Sequence, residues 1–232
     1  MDNFFKLERS KKFWIVFSLI IRIILIVAIV ASVIENNWIF VFFSALTFFL
    51  TFFPKIIERS YKIELPAEFQ VLIVLFAYAG VFLGGVGEFY VKFWWWDSML
   101  HFLAGIGLGF IGFLILYVLY KNNKFKASHG TIAIFAFCFA LSLGVLWEIF
   151  EFSVDSLFGE NMQRARDLCD LEYFCDSRLG VIDTMIDLIL DAMGALIASF
   201  SSYLYLKRKE IPIFNRMIKR FEEENPSLFK EN

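Results

Sequence analysis

The sequence predicts an all-α fold, a polytopic bundle of six transmembrane helices with both termini cytoplasmic. Three observations carry that expectation. Of the 232 residues 59% are hydrophobic, 31 of them phenylalanine, and the mean hydropathy is +0.66, far above the share in a soluble globular domain. Several apolar runs reach the ~20 residues with which a helix crosses a ~30 Å hydrocarbon core, its backbone polar groups satisfied internally. Runs of that length exclude a β-barrel. Finally, lysine and arginine concentrate on alternate connections.

Run length and flanking polar residues place the spans at about 13–34, 38–54, 67–86, 97–120, 131–154 and 182–206. The first is longer than the apolar core of a signal peptide and carries Arg22 in its middle, so it reads as a retained helix. The N-terminal segment holds Lys6, Arg9, Lys11 and Lys12, the second connection Lys55, Arg59 and Lys62, and the fourth Lys121, Lys124 and Lys126. Seven more lie beyond the sixth span, whereas the alternate connections hold only Lys92, Arg164, Arg166 and Arg178. Because cytoplasmic loops carry the excess, both termini are expected inside a cell (inner or plasma) membrane.

Residues 1–206 thus form the spanning domain, and 207–232 a basic amphipathic tail. In that tail Ile211, Ile213, Phe214, Met217, Ile218 and Phe221 alternate with charges, which suits a helix lying on the anionic inner leaflet. The outer connection "GEFYVKFWWWD" suits an interfacial aromatic belt. Cys169 and Cys175 share the long outer loop 155–181, where a disulfide would persist, and two thiols are the alternative. Cys138 falls within a span. Nothing basic and compact enough to bind nucleic acid lies outside the tails.

Ionisable residues interrupt the last three spans. The fourth opens "DSMLH" (Asp97, His101), the fifth closes "WEIFEFSVD" (Glu148, Glu151, Asp155), and the sixth opens "DTMIDLILD" (Asp183, Asp187, Asp191). The orientation from the basic residues brings all three sets to the outer half of the membrane. Residues three or four apart share a helix face, so each set is one stripe. Continued inward by fours, the stripes become Gly105 and Gly109, Gly144 and Ala140, and Ala195 and Ser199, small residues that let helices approach closely.

An aspartate at mid-helix costs roughly 2.5–3.5 kcal/mol on insertion scales, so the cluster needs compensation. Protonation is one route, because crowded carboxylates raise one another's pKa. An ion pair of Arg22 with Asp191 is another, and a water-filled vestibule a third. The fourth is a divalent metal ion on Asp97, His101, Glu148, Glu151, Asp187 and Asp191: Mg²⁺, Mn²⁺ or Ca²⁺ on oxygens alone, Zn²⁺ or Fe²⁺ if His101 joins. Asp155 and Asp183 read as interfacial, and Asp187 as the ligand favoured among the three aspartates of the sixth span.

The motifs "WWWDSMLHFLAGIGLGF", "LWEIFEFSVD" and "DTMIDLILDAMGA" resemble those of the YjdF-like family of bacterial and archaeal inner-membrane proteins, a resemblance covering most of the six-helix body. The last three spans are more distantly similar to the VanZ-like family linked to glycopeptide resistance. Its Asp-Lys-x-x-His-Phe element matches Asp97, His101 and Phe102, with Ser98 in place of lysine. Its Glu-x-x-Gln and Asp-x-x-x-Asn-x-x-Gly elements match Glu148 and Glu151, and Asp187, Asp191 and Gly194, with acids in place of amides. The resemblance implies the fold and the location of the site and carries no particular reaction with it.

Three functions remain open on the sequence. One is a metal-dependent hydrolase or transferase acting on a lipid or lipid-linked phosphate at the outer leaflet. There Glu148 or Glu151 would serve as catalytic base, and Arg164 or Arg166 would meet phosphate. Another is a cation- or proton-coupled transporter using the acids as a relay. The third is a non-catalytic membrane scaffold with a structural metal. Membrane lipids are partners in all three, and the oligomeric state is not encoded legibly.

Overall fold

The computed structural model describes residues 2–122, 124, 126–165, 178–208 and 212–229, and all regular secondary structure among them is helical. The helices are α1 (Asp2–Ile34), α2 (Trp38–Leu50), α3 (Phe53–Tyr61), α4 (Ala67–Ala77), α5 (Phe89–Lys92), α6 (Trp96–Lys121), α7 (His129–Phe158), α8 (Leu179–Arg208) and α9 (Pro212–Glu224). A π-helical segment, Tyr78–Val86, prolongs α4. Five stretches are long and apolar enough to cross a membrane: 15–34, 38–60, 69–86, 96–121 and 129–158. They match the first five expected spans. The sixth expected span lies within α8, which is long enough but carries three aspartates on its first half.

The chain divides into two compact units, residues 1–97 with 217–227, and residues 98–216 with 228–232. In the first, Ile21, Leu25 and Val74 form a core with Phe17, Phe48, Tyr78 and Phe82 packed against it. The second span is interrupted between α2 and α3, where Pro54 has no amide hydrogen to continue the ladder. That interruption leaves carbonyls at the end of α2 without helical partners. Arg22 uses them: its Nε donates to Thr51 Oγ1 and its Nη2 to the Thr51 carbonyl, both at 3.0 Å, and the guanidinium lies 4.1 Å from the centre of the Phe52 ring. A cation in mid-span is thereby solvated by a helix C-terminus and an aromatic face.

The aromatic connection folds on itself. Phe89 packs edge-on against Phe93 and Trp96 with ring centres 5.0 and 4.9 Å apart, and the Trp96 indole donates to the Ala79 carbonyl at 3.3 Å. The tail also packs against the chain. Ile218 and Phe221 of α9 are buried in the protein, and Asn225 clasps Glu64, accepting from its amide at 2.6 Å and donating to its carbonyl at 2.7 Å. The apolar stripe of α9 is thus covered by the chain itself at these positions.

The second unit is built on α6, α7 and α8. Ser128 caps the start of α7 by accepting from the Thr131 amide at 3.1 Å, and Gly159, at φ 73°, ends it in a left-handed turn. Each helix buries a stripe that runs through its small residues. On α6 it includes His101, Gly105, Gly109 and Phe113, on α7 Ala136, Ala140, Gly144, Glu148 and Glu151, and on α8 Asp187, Asp191, Gly194, Ala195, Ala198 and Ser199. These are the small-residue faces expected from spacing. The approach between α6 and α8 is backbone to backbone: a Cβ at Gly105 would land on the Asp191 carbonyl, and one at Gly194 on the Phe102 carbonyl. Ser199 ties α8 to α7 by donating to the Ala133 carbonyl at 2.6 Å.

Gly107, by contrast, has open space around a virtual Cβ. Helix propensity favours alanine over glycine by about 1 kcal/mol at either position, whereas overpacking costs about 1–3 kcal/mol. Gly105→Ala should therefore lower the melting temperature of the detergent-purified protein, while Gly107→Ala leaves it unchanged or raises it. Equal responses would dismiss the close approach.

Candidate functional site

The buried stripes end, one helical turn beyond their glycines, in ionisable side chains. His101, Glu148, Glu151, Asp187 and Asp191 are all buried, each at most 6% exposed. Leaving five such groups in an apolar interior is costly unless they are mutually compensated or bind an ion. His101 is the hub. Its Nδ1 lies 3.3 Å from Asp191 Oδ2, and its Nε2 lies 3.8 Å from Glu148 Oε1. The shorter contact is the one in which Nδ1 donates to Asp191, and it turns Nε2 toward the Glu148 side. Asp97, one turn before His101 on α6, completes a group with His101 and Asp187 in which one ligand atom from each lies within 4.8 Å of the others.

The fourth buried acid, Glu151, accepts a hydrogen bond from the Trp147 indole at 2.8 Å. Trp147 was not among the residues expected at the site, although its spacing of four from Glu151 is the signal for such a contact on one helix face. Gly144 matters for the same arrangement: a Cβ there would collide with the Asp191 carboxylate. Only glycine lets that side chain lie where His101 can reach it.

The remaining residues separate. Asp155 accepts from the amides of Met162 at 2.7 Å and Gln163 at 2.9 Å, and so caps the turn that follows α7. Gln163 in turn donates to Thr184 Oγ1 at 2.9 Å, which fixes this turn to the start of α8. Arg164 lies in that turn, half-buried and with a left-handed backbone at φ 53°. Asp183 is half-buried at the N-terminal end of the α8 stripe. Arg22 and Asp191, weighed above as an ion pair, each have a partner in their own unit, Thr51 and His101. Cys138 is a free, exposed thiol. Arg166, Cys169 and Cys175 lie outside the described residues.

A nitrogen base flanked by carboxylates can hold a divalent cation, accept a proton from water, or pass protons along the stripe. Comparison with known proteins bears on the family and not on that choice. A family model described as "Predicted membrane protein (DUF2238)" matches residues 17–208. A Thermotoga maritima protein, described only as uncharacterized, is 27% identical over 189 residues, covering 81% of this chain and 86% of that relative. No solved structure matches.

Asp191→Ala would leave the His101 Nδ1 proton buried beside a cavity. A buried donor deprived of its acceptor costs about 1–3 kcal/mol, so this variant should melt lower than wild type in the presence of chelator. Phe152→Ala, on the exposed face of α7, should melt close to wild type and serves as the control.

Proposed function

The chain belongs to the DUF2238 family of predicted membrane proteins, and we propose that this multi-pass protein is a metal-dependent hydrolase or transferase for a lipid or lipid-linked phosphate at the outer leaflet. The observation that carries the reading is the meeting of Asp97, His101 and Asp187 within 4.8 Å. To share one ion these ligand atoms would have to draw closer by roughly 1–1.5 Å, since ligands of a four-coordinate zinc stand about 3.4 Å apart. One imidazole nitrogen with carboxylate oxygens favours Zn²⁺ over Mg²⁺ or Ca²⁺. When bound, such an ion polarises a phosphoryl oxygen and lowers the pKa of water.

The protein's own groups divide the remaining work. Asp191 holds the His101 ring and fixes its tautomer, the role carboxylates commonly take beside a ligating histidine. Glu148, on the Nε2 side of that ring, is the base that takes the proton of the attacking water as the leaving oxygen departs. Trp147 fixes Glu151 as a further acid at the site. Arg164, in the turn that Gln163 fastens to α8, meets the phosphate charge.

In this reading α8 is the sixth span. Its polar stripe is buried, while Ile182, Met185, Ile189, Met193, Leu196 and Phe200 are exposed on its other faces, as lipid contact requires. The distribution of lysine and arginine supports cytoplasmic termini and hence an outward-facing site. The shared motifs at Asp97–His101, Glu148–Glu151 and Asp187–Gly194 support kinship with YjdF-like and, at greater distance, VanZ-like proteins. Transport finds less support, because inward of Asp191 the helices close on Gly105, Gly144 and Ala195 and leave no room beside the glycines even for a Cβ.

Metal analysis of the purified full chain tests the proposal. Wild type should retain close to one divalent ion per chain and melt lower with chelator, and Asp187→Asn and His101→Ala should each lose most of the ion. Failure of wild type to hold metal after reconstitution with Zn²⁺, Mn²⁺ or Mg²⁺ would sink the enzyme reading. Proton or cation flux in proteoliposomes, abolished by Asp191→Asn, would put transport in its place.

A further inference from the structure

A second polar site lies at the other end of α6, α7 and α8. Tyr117, Tyr120, Lys121, His129, Tyr205 and Leu206 line a cavity of about 170 Å³. At 1.5 Å per residue, Tyr117–Lys121 stand about 24–30 Å along α6 from His101, so this cavity is independent of the acidic site. Its volume is below the roughly 300–1,000 Å³ of pockets for drug-sized molecules. It suits a single small polar group.

The lining states what that group is. Five of the six residues carry polar side chains, none of them acidic. The Tyr117 and Tyr205 hydroxyls lie 3.3 Å apart, both residues buried, and the Tyr120 hydroxyl lies 3.5 Å from His129 Nε2. Lys121 Nζ stands 5.9 Å from the centre of the Tyr117 ring. A lysine ammonium, an imidazole and three phenols form a set rich in hydrogen-bond donors that includes a cationic group. Phosphate oxygens are the complementary acceptors, and hydrogen bonds to an ionised group are the strong ones.

The position agrees with the chemistry. The cavity sits where α6 ends, α7 begins and α8 ends, and tyrosines at such helix ends occupy the headgroup level of a bilayer. Lys124 and Lys126 follow on the same connection, and Lys207 and Arg208 on the end of α8. Nearby, the Asn122 side chain donates to the Leu228 carbonyl, and the Phe229 ring packs 6.2 Å from that of Tyr117. The C-terminal segment is thereby held beside the cavity.

We infer that this cavity is a binding site for a phosphate group, either the headgroup phosphate of an anionic phospholipid or free inorganic phosphate. The test is the melting temperature of the full chain in non-ionic detergent, titrated separately with inorganic phosphate, phosphatidylglycerol and phosphatidylcholine. The variants are Lys121→Gln/His129→Gln, whose side chains are exposed or half-exposed, and Lys207→Gln as a basic position outside the lining. Wild type should be stabilised saturably, and the double variant should need about fivefold more probe or more, as loss of a charge-assisted contact requires. Lys207→Gln should behave as wild type. A response to phosphatidylglycerol alone identifies the lipid, and a response to inorganic phosphate as well identifies the free anion as a ligand. Tyr120→Phe, which removes one hydroxyl, stands in if the double variant does not fold, and should weaken the response in the same direction. Absence of stabilisation by either anionic probe overturns the inference. So does a pocket variant that responds like wild type, or a Lys207→Gln variant that weakens as much as the pocket variants.

Discussion

The close approach of α6 and α8 is the constraint on which the site depends. Gly105 faces the Asp191 carbonyl and Gly194 faces the Phe102 carbonyl, so each helix presents a glycine to the other's backbone. Between membrane helices there is little hydrophobic drive to associate, and small residues at the contact supply the van der Waals packing that takes its place. The approach also sets a register. His101 lies one turn before Gly105, and the residue opposite Gly105 is Asp191 itself, so the contact that packs the helices also brings imidazole to carboxylate at 3.3 Å. Gly144 does the same from α7, leaving room for the Asp191 side chain one turn from Glu148.

Two kinds of charge management operate in the two units. In the first, a single arginine in mid-span is satisfied by the broken end of a neighbouring helix, at Thr51, with Phe52 beneath the guanidinium. That arrangement is self-contained and calls for no ligand. In the second, several buried acids share one histidine. Grouping carboxylates at this depth raises the cost of keeping them ionised, and it also creates the electrostatic conditions in which a divalent cation or a shared proton is favoured. The contrast is between one charge solvated within its own unit and several charges that share a single partner in the other.

Polar residues outside the acidic cluster are held by contacts of their own. Asp155 lies close enough to the end of α7 for two backbone amides of the following turn to reach it. Backbone amides of a turn that have no helical partner are strong donors to a carboxylate. Asn225 likewise couples α9 to Glu64 through its amide group, a contact between residues far apart in the chain that hydrophobic periodicity does not encode.

The sequence by itself determined the helical class, five stretches long and apolar enough to cross a membrane, the three polar stripes and the small residues beneath them. Run length and the 3.6-residue period are local properties, and a membrane leaves few alternatives to a helix. What only the tertiary structure decided is pairing: that His101 meets Asp191 and Glu148, that Trp147 holds Glu151, that Arg22 turns to Thr51, and that three tyrosines, a lysine and a histidine line one open cavity at the far helix ends. A stripe states which face of a helix is polar. Which neighbour that face meets, and at what height, depends on glycine contacts between segments up to about ninety residues apart, and spacing within one helix holds no information about register between two.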